Sequence, residues 1–158
     1  DPAHVRDKDG IATSVVAASL VAALKAQGRS VWDELERLAR LHGLHVSSPL
    51  TFRVEEIEQI ASGMARLRAQ PPSVLAGSPV VEVSDLSQGY RGLPPTDGVL
   101  VLTEAGDRVI ARPSGTEPKL KCYLEVILPV ADGESLPWEQ ARERLDAIKG
   151  AFAEIIGL

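Results

Sequence analysis

From Leu120 to Leu128 the chain alternates strictly, with Leu120, Cys122, Leu124, Val126 and Leu128 in one set and Lys121, Tyr123 and Glu125 in the other. Successive strand side chains point to opposite faces, so this segment predicts a strand in a sheet covered on one side and open on the other. Upstream, Val99–Thr103 and Arg108–Arg112 predict a hairpin joined by Glu104-Ala105-Gly106-Asp107. Val80–Val83 supplies a fourth strand, followed by an irregular loop rich in Gly and Pro from Asp85 to Gly98.

Two helices are expected to cover that sheet. Arg53–Gln70 repeats Ile57, Ile60, Met64 and Leu67 at helical spacing, carries Glu55, Glu56, Glu58, Arg66 and Arg68 on the other face, and stops at Pro71-Pro72. Ser135, Leu136 and Pro137 start a closing helix whose buried stripe is Ala141, Leu145, Ile148, Phe152 and Ile155. Residues 53–158 therefore predict an α+β fold: a small two-layer domain with a four-stranded, mainly antiparallel sheet and two helices.

Two further helices come first. Ile11–Gln27 is apolar around most of its circumference, capped by Asp9 and ended by Gly28. The next starts at Ser30 with Asp33 in a capping-box arrangement, lines one face with Trp32, Leu35, Leu38 and Leu41 or His42, and closes at Gly43. Two helices with so much apolar surface do not form a stable unit alone, so residues 1–46 are expected to be the end of an α/β domain whose sheet lies elsewhere. Residues 47–52, with Ser47, Ser48 and Pro49, read as a linker.

Charge and cysteine usage bound the function. A net charge of -5 argues against a nucleic-acid or anionic-membrane binder, which needs a basic surplus. The apolar stretch Ile11–Leu24 is interrupted by Thr13, Ser14 and Ser19 and is too short for a convincing membrane span. Cys122 is the single cysteine, so no internal disulfide forms and a reducing, cytoplasmic setting is expected. Its place in the alternation faces it to the core, and no histidine stands near it in sequence to activate the thiol.

Between the hairpin and the last strand lies R-P-S-G-T-E-P-K, residues 112–119, followed by Lys121. A phosphate dianion needs several donors fixed in advance around three oxygens. Ser114, Gly115 and Thr116 offer two hydroxyls and consecutive backbone N–H groups, with glycine free to turn them inward as an anion nest. Arg112 adds a bidentate fork, Pro113 and Pro118 stiffen both flanks, and Lys119 and Lys121, two apart, share one strand face. The alternative is an ordinary tight turn with solvated cations.

This octapeptide closely resembles the phosphate-binding loop of the last domain of the α-D-phosphohexomutases, the phosphoglucomutase and phosphomannomutase superfamily. A second segment, Ala3-His4-Val5-Arg6-Asp7-Lys8-Asp9-Gly10, resembles the stretch after the sugar-binding loop of the third domain of that family. Together they imply that residues 1–46 are the end of domain three and 53–158 the C-terminal domain four. The resemblance implies a mutase interconverting hexose 1-phosphate and hexose 6-phosphate through a phosphoserine and a hexose 1,6-bisphosphate intermediate, with Mg2+ held by an aspartate run. Carried over to matching positions, Arg112, Ser114, Gly115 and Thr116 would hold the substrate's non-reacting phosphate, helped by Lys119 or Lys121. Lys8, and more weakly His4, would reach the phosphosugar.

No T-A-S-H-N-P-like serine loop, D-G-D-x-D-R-like metal loop or E-E-S-G-like sugar loop stands in these 158 residues. The resemblance therefore implies no catalytic residue and no metal ligand here, and a fragment inactive without the N-terminal domains against which it packs. Asp7 and Asp9 suit helix capping better than cation binding. A free-standing, non-catalytic phosphate-binding module is the competing reading. His42 and His45 read as surface residues, Trp32 and Trp138 as packing residues, and Tyr90 and Arg91 as candidates to reach a neighbouring domain.

Overall fold

The computed structural model describes residue 3 and residues 5–157. The chain divides into two compact units, one ending at His42 and the other beginning at Gly43.

The N-terminal unit contains α1 (Gly10–Ala26) and α2 (Val31–His42). Asp9 caps α1 as expected, its carboxylate accepting the Ala12 N–H at 2.9 Å. Ser30 and Asp33 form the expected box: the Ser30 N–H donates to Asp33 Oδ2 at 2.7 Å and the Asp33 N–H to Ser30 Oγ at 3.2 Å. On α1, Ile11, Val15, Val16, Leu20 and Val21 are exposed, and on α2 so are Trp32, Leu35 and Leu41. Among the described residues, no single helix is long and apolar enough to cross a membrane.

The C-terminal unit is α+β, with six strands where the sequence reading has four. They are β1 (Leu44–Arg53), β2 (Val74–Leu75), β3 (Ser78–Asp85), β4 (Val99–Thr103), β5 (Arg108–Pro113) and β6 (Lys119–Leu128), in the spatial order β1-β6-β5-β4-β3-β2. Every neighbouring pair is antiparallel. Helices α3 (Ile57–Ala69) and α4 (Trp138–Ile156) pack on one face of the sheet and on each other.

The largest correction concerns residues 47–52. They are the middle of β1, paired along its whole length with β6 from Leu44↔Leu128 to Arg53↔Lys119. Ser47, Ser48 and Pro49 look like a linker in isolation because this is an edge strand, where Pro and polar residues are tolerated. The same pairing holds Arg53 in the ladder, and the Val54 N–H donates to the Pro118 carbonyl at 3.1 Å, so the following helix starts at Ile57 rather than Arg53. Gly43 makes the sharp entry into β1: its φ is +92°, and a Cβ there would stand 3.2 Å from the Leu128 carbonyl oxygen.

The core follows the expected alternation. Leu120, Cys122, Leu124, Val126 and Leu128 are buried against Ile60, Met64 and Leu67 of α3 and Ala141, Leu145, Ile148 and Phe152 of α4. The α4 stripe ends on Ile156 rather than Ile155, and Gly157 then closes the helix in the left-handed conformation. Each buried Leu, Ile or Val contributes about 1.5–3 kcal/mol. The loop from Asp85 to Gly98 is less irregular than its composition. It holds a 3-10 turn at Leu86–Gln88, and Arg68 of α3 ties both its ends, reaching Asp85 at 3.0 Å and Asp97 at 2.6 Å.

A buried charge locks α4 to the β4–β5 turn. Asp107 is fully buried, its backbone N–H donates to Thr103 Oγ1 at 3.0 Å, and its Oδ2 accepts from Arg144 at 2.7 and 2.8 Å. Among the described residues Asp107 Oδ1 has no hydrogen-bond partner, so the carboxylate depends on Arg144. Removing one member of such a pair strands the other charge in a low-dielectric setting. Arg144→Ala is expected to destabilise the unit by about 3 kcal/mol or more, measured by urea denaturation; a loss under ~1 kcal/mol would show the pair to be incidental.

Candidate functional site

Strand β5 runs into a loop at Ser114–Pro118, and β6 carries the chain back. The loop is closed by backbone: the Ser114 N–H donates to the Lys119 carbonyl at 2.9 Å and the Lys119 N–H to the Glu117 carbonyl at 2.7 Å. Below it, the ladder sets Arg112 opposite Lys121 and Pro113 opposite Leu120. Strand alternation sends Leu120 and Cys122 into the core and turns Arg112, Lys121 and Tyr123 to the uncovered face.

A concavity of about 110 Å³ opens there, lined by Arg112, Pro113, Ser114, Gly115, Lys121 and Tyr123. Among the described residues Arg112 and Lys121 make neither an ion pair nor a side-chain hydrogen bond. Like charges set directly opposite on one sheet face repel, so this arrangement favours an anion between them. Ser114 adds a hydroxyl that can donate or accept.

The sequence-predicted residues divide. Arg112, Ser114, Gly115 and Lys121 come together around the concavity, whereas Thr116 is exposed on the loop away from its lining. Lys119 does not line it either, because its ammonium pairs with Glu117. That hydrogen bond is the main cause holding the Glu117 carboxyl below its ordinary range, opposed by partial burial and assisted by the charges of Lys121 and Arg53. Gly115 does not take the left-handed conformation. A Cβ there would meet open space, so the glycine leaves the backbone at the rim unobstructed. Lys8 belongs to the N-terminal unit, where its exposed ammonium lies 2.8 Å from Asp7. His4 lies outside the described residues.

Tyr123 is a lining residue that the sequence reading does not single out. The signal was present, since Tyr123 shares the parity of Lys121 on β6. Farther along the same face, His45 Nδ1 lies 3.4 Å from Glu125 Oε1, and Arg108 reaches the other oxygen of Glu125 at 2.7 Å. The Arg91 guanidinium lies 4.9 Å from the centre of the Tyr90 ring and pairs with Glu82 at 3.2 Å.

The donor set around the loop is cationic and hydroxylic and does not fit a divalent metal, which takes carboxylate, carbonyl and water oxygens. Asp7 and Asp9 do not supply such a site, being engaged with Lys8 and with the start of α1.

Residues 50–136 match the family described as phosphoglucomutase/phosphomannomutase, C-terminal domain. This chain belongs to the phosphoglucomutase/phosphomannomutase family, of which it carries the C-terminal domain. It is 40% identical over 125 residues to a probable phosphomannomutase of Haemophilus influenzae, a match covering 79% of this chain and 25% of that protein. It is 34% identical over 136 residues to a phosphoglucomutase of Staphylococcus haemolyticus, covering 77% of this chain and 25% of the other. It is also 27% identical over 166 residues to human phosphopentomutase, covering 95% and 27%. The chain thus spans about a quarter of the length of the curated relatives it matches. In fold it is similar to the open form of the Paramecium phosphoglucomutase parafusin, with a TM-score of 0.61 at 17% identity, over 98% of this chain and 29% of that one.

Cys122 sits beneath the site with no exposed surface, and burial pushes its thiol up to about 12. At pH 8 the thiolate fraction is then roughly one part in 10⁴. Iodoacetamide at that pH is expected to leave Cys122 unmodified in the folded protein and to label it fully in urea, read by intact mass. Labelling of the folded chain at the rate of a free thiol would put the thiol back among the chemical candidates.

Proposed function

We propose that this chain is the C-terminal part of a phosphosugar mutase, in which the loop at 112–116 holds the phosphate of the substrate that does not react. The observation that carries this reading is Arg112 opposite Lys121, both without a carboxylate, beside Ser114 and Gly115 at an open concavity. Membership of the family supports the reaction class.

In this proposal the whole enzyme interconverts hexose 1-phosphate and hexose 6-phosphate. A phosphoserine outside these residues gives its phosphoryl group to the free sugar hydroxyl: the serine O–P bond breaks, the sugar O–P bond forms, and the hydroxyl proton leaves to a base. The hexose 1,6-bisphosphate so formed reorients and returns its other phosphoryl group to the serine. Mg2+ supplies charge neutralisation at the transferring phosphoryl and is held by residues outside this chain.

The part played by this domain is binding. Arg112 gives a planar pair of donors, Lys121 a point charge and Ser114 a hydroxyl, while Gly115 offers a backbone N–H at the rim and Thr116, outside the lining, would reach the anion only from the loop. Charge-assisted bonds of this kind contribute about 1.5–3 kcal/mol each. Lys119 joins them once its ammonium leaves Glu117. Lys8 and His4, from the N-terminal unit, belong to the sugar-facing wall in the same proposal. Residues up to His42 would complete the preceding domain, whose sheet covers the exposed apolar face of α1. The fragment alone is inactive, and a cytoplasmic setting suits the lone buried thiol.

Arg112→Ala in the full-length enzyme is expected to lower kcat/KM for the hexose phosphate by about 10- to 100-fold, chiefly through KM. Steady-state kinetics over a substrate series measure it. An unchanged specificity constant would sink the assignment of the loop as a phosphate clamp.

A further inference from the structure

Arg68, Arg91, Arg108, Arg144 and Lys149 of the C-terminal unit each hold a carboxylate. Among the described residues Arg53, Arg112 and Lys121 do not, nor does Arg142 on α4, and none of these makes a side-chain hydrogen bond. In a chain of net charge -5, three cations left without carboxylates in one place call for a cause. Arg112 and Lys121 already line the concavity. Arg53 comes from an edge strand on the far side of β6.

Register places it. Thr51 is the partner of Lys121 and Arg53 the partner of Lys119, so Arg53 shares the uncovered face with Lys119, Lys121 and Arg112, one row nearer the loop. The Val54 N–H bond to the Pro118 carbonyl, 3.1 Å, fastens the end of β1 to the loop itself. The charge of Arg53 also reaches the loop, where it adds, after Lys119 and Lys121, to the lowering of the Glu117 carboxyl.

We propose that Arg53 is a further residue of the anion site, a cation delivered from the edge strand that raises affinity for doubly charged phosphate esters over singly charged esters of the same shape. Coulomb energy scales with the charge of the ligand, so a cation beside the seated group discriminates by charge even where it makes no direct hydrogen bond. Because Arg53 is held on the ladder rather than on the loop, its backbone need not be ordered when the anion binds. The inference rests on the phosphate-binding reading of the loop.

The test uses the 158-residue chain and two probes at pH 8, glucose 6-phosphate and glucose 6-sulfate, which differ by one charge. Binding is followed by NMR through the amide shifts of Gly115 and Thr116. Arg53→Ala is expected to weaken glucose 6-phosphate about 3- to 5-fold and to narrow the preference for phosphate over sulfate, and added salt is expected to shrink both effects. Arg53→Lys, which keeps the charge, is expected to retain most of the preference. If Arg53→Ala binds both probes as the unsubstituted chain does while Arg112→Ala loses binding, the loop reading survives and Arg53 is a solvated side chain. If the unsubstituted chain binds neither probe, the loop reading fails and this proposal with it.

Discussion

The pairing of β6 with two strands at once is the constraint on which the rest of the unit depends. Its ten residues are matched on one side by β1 and through most of their length on the other by β5. Such a central strand cannot slip by one residue without moving Leu120, Cys122, Leu124, Val126 and Leu128 out of the core and Lys121 and Tyr123 into it. The hydrophobic set that builds the core therefore also determines which side chains surround the concavity. Packing and site are two faces of one alternation, and the short backbone-closed loop at 114–118 inherits its position from it.

This explains what was legible in the sequence. The period of two in β6, the β4–β5 hairpin, the Asp9 cap and the apolar stripes of α3 and α4 are local signals, and they describe most of the unit. The signal for β1 is not local: Leu44, Val46, Leu50 and Phe52 alternate, but Ser48 interrupts them and Pro49 stands beside it. Only the ladder to residues more than sixty positions away makes the segment a strand. The same blindness hid Arg53, which belongs to a helix by local pattern and to the sheet by pairing. The linker expected at residues 47–52 is likewise committed to β1. At the loop, residue types were legible and their engagements were not. Nothing in S-G-T-E-P-K says that Glu117 takes Lys119 or that Gly115 keeps an ordinary φ.

Electrostatics gives the site its contrast. Most cations of the unit are held by carboxylates or, for Arg66, by the carbonyl at the end of α4, 3.1 Å away. Pairing of that kind on a surface contributes little stability, but it removes competing positive charge from the surroundings. Arg112 and Lys121 then stand out against an acidic background as a local excess. Glu117 is the acidic residue of the loop, and its pairing with Lys119 holds its carboxyl below the ordinary range. Because its carboxyl is lowered, that pairing is complete above the ordinary carboxylate range and is lost as pH falls through the lowered value. The loop therefore presents two cations without a carboxylate partner among the described residues and a third whose charge is partly neutralised.

The same inventory separates binding from chemistry. Around the concavity stand a guanidinium, an ammonium, a hydroxyl, a phenol and backbone, and the thiol beneath them is buried with its pKa pushed up to about 12. Groups of this kind grip and orient an anion. Among the described residues no imidazole or carboxylate lines the concavity. The N-terminal unit points the same way from a different direction, for Ile11, Val15, Val16, Leu20 and Val21 on α1 leave an apolar surface that its own residues do not cover. The anion-suited groups are therefore complete within one unit, whereas the apolar face of α1 calls for a cover that its own unit does not supply.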